Sequence, residues 1–145
     1  MAATSSSTPA SASTKKRPEI PVWNERSRTG WLDRLRAAGV APEAVDCVFC
    51  THLHIDHVGW NTVEADGAWT PTFPNARVGR RELTDWQARM AAGTAELMHV
   101  RGLRDSVIPL LDAGRVDLVD EGVEFAERAV LTLFPVTPQA RWACA

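Results

Sequence analysis

The chain has 145 residues, with 16 Lys and Arg against 18 Asp and Glu, for a formal net charge of -2. That length allows one domain with a real core, and so balanced a charge argues against a nucleic-acid or polybasic membrane-surface protein. Its cysteines, Cys47, Cys50 and Cys144, are too few and too odd in number for a disulfide framework. A reducing cytoplasm is therefore the expected compartment, and no apolar run approaches a membrane span.

In chain order, residues 1–14 are Ala, Ser, Thr and Pro with no apolar h-region, which predicts a disordered tail rather than a signal peptide. Lys15-Lys16-Arg17-Pro18 is a short basic run, expected to be solvated. Trp31 to Ala38 predicts a helix, with Leu32, Leu35 and Ala38 on one face, Thr29 as cap and Gly39 at C′. Pro42 to Val45 predicts a short helical turn with Pro at N1. Cys47 to Thr51 is a short apolar run and reads as a buried strand.

Residues 59–74 read as loop, with room for a two-strand ribbon around Asp66-Gly67. Ala76 to Gly79 reads as a further strand. Arg81 to Ala92 reads as a helix with Leu83, Trp86 and Met90 on its apolar side. Asp105 or Ser106 is expected to cap a helix that runs through Leu111 and closes at Gly114. Val116 to Val119 and Val130 to Phe134 read as strands, so the fold class is α/β.

The chemistry sits at the end of the Cys47–Thr51 strand. Thr51-His52-Leu53-His54-Ile55-Asp56-His57-Val58 packs three of the four histidines and an aspartate into six positions. Imidazole and carboxylate are metal donors. In extended backbone His52 and His54 share a face and can reach one ion together. Asp56 and His57 come after a bend and address a neighbouring point. Two such pairs suit two divalent metals bridged by water, whose pKa falls toward neutrality between two cations. Asp56 is the candidate catalytic residue, able to hold or orient the resulting hydroxide. The C-terminal ends of α/β strands are where such sites gather.

The run resembles the His-x-His-x-Asp-His motif of the metallo-β-lactamase superfamily. Residues 50–62, Trp69 to Ala76 and Asp105 to Pro109 resemble the branch of quorum-quenching lactonases and methyl-parathion-type hydrolases. Pro21-Val22-Trp23-Asn24 is a weaker match. The resemblance covers Arg17 to Phe134 and implies a hydrolase acting on an ester, lactone or phosphoester. It implies His52 and His54 on a first metal and Asp56 and His57 on a second, with zinc the expected ion.

The family's N-terminal Asp strand, third His, bridging Asp and last His have no counterpart here. The expected architecture is therefore a partial αββα sandwich, incomplete at both ends. Residues 15–134 would form the domain, and 135–145, which hold no His, an aberrant tail. A slip of reading frame near Phe134 is one account of that tail, since allowed codons read in another register give a Gly-His-Thr-Pro-Gly turn.

With two donors per ion, metal should be weakly held. The alternative to an enzyme is thus an inactive fragment that binds metal weakly or not at all. A third reading is a structural zinc module built on Cys47, Cys50, His52 and His54, against which stands the opposite facing of i and i+3 on a strand. His99 is a spare donor on or after a helix, and Trp60 a candidate pocket wall. The expected partner is a small-molecule substrate, with no nucleic acid and no membrane. The sequence leaves the oligomeric state open.

Overall fold

The computed structural model describes residues 15–25, 30–126, 129–136 and 139–144, with side chains through residue 123. The expected tail at 1–14 and the cap at Thr29 lie outside these residues. The architecture is mixed α/β, as the sequence predicts.

A parallel sheet carries the site. Its strands are β1 (Val48–Cys50), β4 (Ala76–Gly79) and β5 (Val116–Val119), with β4 in the middle. Val48 pairs with Ala76 and Ala76 with Val116, so all three strands end on the same edge. Between β1 and β4 lies an antiparallel hairpin of β2 (Thr62–Ala65) and β3 (Ala68–Pro71). Its two-residue loop, Asp66-Gly67, has φ of +53° and +79°. Positive φ at both positions is the type I′ geometry that matches the strands' twist and favours Asp-Gly. A second antiparallel sheet joins β6 (Glu124–Ala126), β7 (Ala129–Val136) and β8 (Gln139–Cys144).

Helix α1 (Trp31–Ala37) ends as expected at Gly39, in left-handed backbone. Gly39 N–H reaches Arg36 O and Val40 N–H reaches Leu35 O, the two bonds of a Schellman stop. Helix α3 (Arg80–Ala91) follows β4 directly and buries Glu82, Leu83 and Trp86. The sequence misses the next element. Residues Leu97–Ser106 form helix α4, and α5 (Ile108–Asp112) starts after Val107 with no side-chain cap. Asp105 and Ser106 therefore end a helix instead of starting one, and their side chains serve another purpose, described below.

The core gathers Cys50, Leu53, Val58, Val78, Leu83, Trp86, Leu103 and Val107. It is thus built from the parallel sheet, the turn after β1 and helices α3 and α4. Helix α2 (Ile55–Val58) sits against α4 at Gly102, where a Cβ would stand 3.0 Å from Ile55 Cα and 3.1 Å from its Cβ. A one-turn helix held between chain connections on both sides has little room to move. We expect Gly102→Ala to lower stability by about 1–2 kcal/mol, overpacking outweighing the propensity gain of Ala over Gly in a helix. Urea unfolding of the two proteins checks this; an unchanged or raised midpoint would show that α2 gives way freely.

Candidate functional site

Parallel pairing brings the exits of β1 and β4 side by side, and this builds the site. The chain leaving β1 at Cys50 runs through Thr51 to His54 and turns into α2. The chain leaving β4 enters α3, whose first turn carries Glu82. Glu82 is 2% exposed. Its Oε1 accepts the Leu53 backbone N–H at 3.0 Å and the Trp86 indole N–H at 2.9 Å. One carboxylate thus pins the peptide between His52 and His54 and the aromatic ring beneath them.

The four expected donors come together. The His52 and His54 ring centroids are 4.7 Å apart at 89°, and those of His52 and His57 are 3.9 Å apart at 49°. Asp56 Oδ2 lies 3.3 Å from His57 Nε2, and both side chains are about half exposed. His52 is buried, with its Nδ1 3.1 Å from Thr51 Oγ1. Its neighbour His54 makes an edge contact with Trp86 at 5.7 Å.

The donor set fits a divalent metal by its chemistry. Two imidazoles on one tetrahedral ion, each bound at about 2.0–2.1 Å, have centroids about 5 Å apart. The His52–His54 pair, at 4.7 Å, lies close to that spacing. Among the described residues, however, no group of three or more His, Cys, Asp or Glu is arranged to hold an ion. The pairs are in place; a converged third donor is not.

The same holds for the structural zinc module. Cys50 is buried and its Sγ accepts the Asn61 amide at 3.3 Å. Burial pushes the thiols of Cys50 and Cys47 up from their ordinary range, which disfavours the thiolate that zinc needs.

Three groups have surroundings that sequence reasoning does not supply. One is Glu82, where a first-turn acid reads as no more than a complement to the helix dipole. The second is His99. Its ring stacks on His54 at 4.3 Å and 25°, and meets Trp86 at 5.1 Å. Burial lowers its affinity for a proton, as does the His54 ring, while Glu96 and Asp56 pull the other way.

The third is the basic run, in which Lys16 is exposed as expected but Lys15 and Arg17 are buried. Lys15 and Arg17 are 9% and 3% exposed. Arg17 grips Asp105 with Nε at 2.9 Å and Nη2 at 2.7 Å. Lys15 Nζ donates to Thr62 Oγ1 at 2.7 Å, Ser106 Oγ at 2.5 Å and the Asp105 carbonyl at 3.1 Å. It also lies 4.8 Å from the centroid of the Trp69 ring. Trp60, the candidate wall, stacks on Trp31 at 5.7 Å, and Trp31 meets Phe73 edge-on at 6.1 Å.

A parallel α/β sheet with a histidine-rich turn at its strand ends defines the class, and comparison with known proteins fixes it. A family model described as the metallo-beta-lactamase superfamily matches residues 12–138. The chain belongs to that superfamily, whose members generally bind divalent metals. Among solved structures it is similar to the hydrolase AbOPH, of the beta lactamase superfamily, with 26% identity and a TM-score of 0.51. The match covers 70% of this chain and 36% of that one, so this chain spans well under half the length of its structural neighbour. The curated proteins hold no match to it. No helix among the described residues is long and apolar enough to cross a membrane.

Proposed function

We propose that this chain is the metal-binding portion of a divalent-metal-dependent hydrolase, with His52, His54, Asp56 and His57 as donors and zinc as the ion. The observation that carries this is the gathering of the His54 and His57 rings around that of His52, at 4.7 and 3.9 Å, at the C-terminal edge of a parallel sheet. The substrate class we assign is an ester, lactone or phosphoester. Its support is the likeness of residues 50–62 and 69–76 to the lactonase and methyl-parathion-type branch.

A bound divalent cation supplies Lewis acidity, lowering the pKa of water toward neutrality and polarising a carbonyl or phosphoryl oxygen. The chain's own residues do the rest. Thr51 Oγ1 engages His52 Nδ1 and so orients the ring with Nε2 as the donor nitrogen. Glu82 holds the Leu53 peptide and fixes the spacing of the two flanking imidazoles. Asp56, half exposed beside His57, faces water and can take a proton from an attacking molecule or hold it in line. Trp60 and Trp31 offer an apolar wall for the substrate's non-reacting part.

Replacing a donor tests this. We expect the wild-type chain to take up zinc and to hydrolyse at least one member of an ester, lactone and phosphotriester panel. His54→Ala should lose both, with its far-ultraviolet circular dichroism unchanged. Retained turnover in His54→Ala overturns the assignment. Weak zinc uptake with no turnover on any of the three would instead support an inactive metal-binding fragment.

A further inference from the structure

We propose that His99, on α4, is a positioning residue for His54: its imidazole lies flat against the His54 ring and sets the plane in which that donor's nitrogen points. This rests on the metal reading above and deepens it, and it gives His99 no bond to the ion.

The stack is close and nearly parallel. The two ring centroids lie 4.3 Å apart and the planes meet at 25°. An imidazole nitrogen donates in its own ring plane, so two rings stacked face to face aim their lone pairs side by side and not at one ion. The nitrogens of His99 have no printed partner either. Nδ1 is buried with no hydrogen bond among the described residues, and Nε2 stands 3.7 Å from Glu96 Oε2, beyond hydrogen-bond reach. What His99 brings to His54 is the face of its ring.

Three rings enclose His54. His99 covers a face, Trp86 meets it at 5.7 Å and 78°, and His52 meets it at 4.7 Å and 89°. Trp86 also meets His99 at 5.1 Å and 53°, so one indole backs both rings. The His99 side chain is 13% exposed. Its helix closes on α2 at Gly102, where a Cβ would stand 3.0 Å from Ile55 Cα. The wall against His54 is therefore part of the packed frame.

The ring's orientation decides whether its nitrogen meets an ion. A side chain immobilised only on binding loses affinity by that ordering, and one already held does not. Holding one ring should be worth about 3–10-fold in zinc affinity.

The test compares wild type, His99→Phe and His99→Ala as full chains. In the metal-free wild type, above the range where histidine titrates, the ring protons of His54 and His99 should show a nuclear Overhauser contact. The His54 ring protons should also resonate upfield, shielded by the face that covers them. His99→Ala should move those signals downfield and weaken zinc binding about 3–10-fold by chelator competition. His99→Phe, a flat ring without nitrogens, should keep both near wild type.

No contact between the rings in the wild type overturns the inference, as do unmoved His54 signals or unchanged zinc affinity in His99→Ala. Zinc binding in His99→Phe as weak as in His99→Ala would assign the role to a nitrogen and overturns it too. The Overhauser measurement needs no variant, so it stands even if His99→Ala fails to fold. A wild type that takes up no zinc overturns the metal reading itself, and the role given to His99 falls with it even where the rings touch.

Discussion

Glu82→Leu should cost the chain about 2–4 kcal/mol of stability, the sum of two buried donors left without an acceptor. The donors are the Leu53 backbone N–H and the Trp86 indole N–H, both held by one oxygen of Glu82. Leucine fills similar space, so cavity formation adds little. What it cannot supply is an acceptor, and neither donor has water within reach at a side chain 2% exposed. Glu82→Gln keeps a carbonyl oxygen and should recover most of the loss. Denaturant unfolding of the three proteins decides the matter. A Leu variant as stable as wild type would mean that the Leu53 peptide finds another partner. Zinc affinity should follow the same order, because the peptide in question joins two donor histidines.

Asp105→Ala should be of similar or greater severity. Breaking one partner out of a buried ion pair costs about 3–5 kcal/mol, mainly because the other charge is left in low dielectric. Here two cations would be stranded, since Arg17 and Lys15 both face this carboxylate. Lys15→Met should cost less, as Thr62 and Ser106 keep Asp105 oxygens as acceptors. The pair Lys15→Met with Asp105→Ala should cost less than the sum of the singles. Thermal or urea unfolding of the cycle measures this; strict additivity would show that the charges do not interact.

The same cluster carries a pH signature. Burial lowers the Lys15 pKa to about 8 from 10.5, with Arg17 adding to the effect and Asp105 opposing it. Between those two values the unfolded chain binds a proton that the folded chain has released. Stability of the wild type, relative to Lys15→Met, should therefore rise from about pH 8 to 10.5 and stay level below that window.

Much of the fold is legible because its signals are local. Asp66-Gly67 specifies its own hairpin turn, Gly39 its helix stop, and the apolar spacing of Leu83 and Trp86 the buried face of α3. The histidine run is legible for the same reason, since adjacency in sequence already delivers adjacency in space. Helix α4 is hidden by Gly102, which weakens a helical reading and whose purpose is an approach to Ile55 visible only in three dimensions. Lys15 and Arg17 are misread as solvated because a charge's burial depends on its partner, and Asp105 lies 90 and 88 residues away. His99 has no neighbouring histidine in sequence to mark it; Trp86 and His54 give it one in space.

The grip of Lys15 and Arg17 on Asp105 makes the segment around them a tethered ligand of the rest of the chain. It is held by side-chain hydrogen bonds and charge to Thr62 on β2 and to Asp105 and Ser106 at the end of α4. The core of Leu53, Val78, Trp86 and Leu103 includes none of these groups. A tether of this kind holds its ligand at an effective concentration of about millimolar. A detached peptide of equal affinity must exceed that concentration to displace it. Apart from the buried Ile20, the hold on this segment is polar, so its strength answers to pH and salt where that of the apolar core does not.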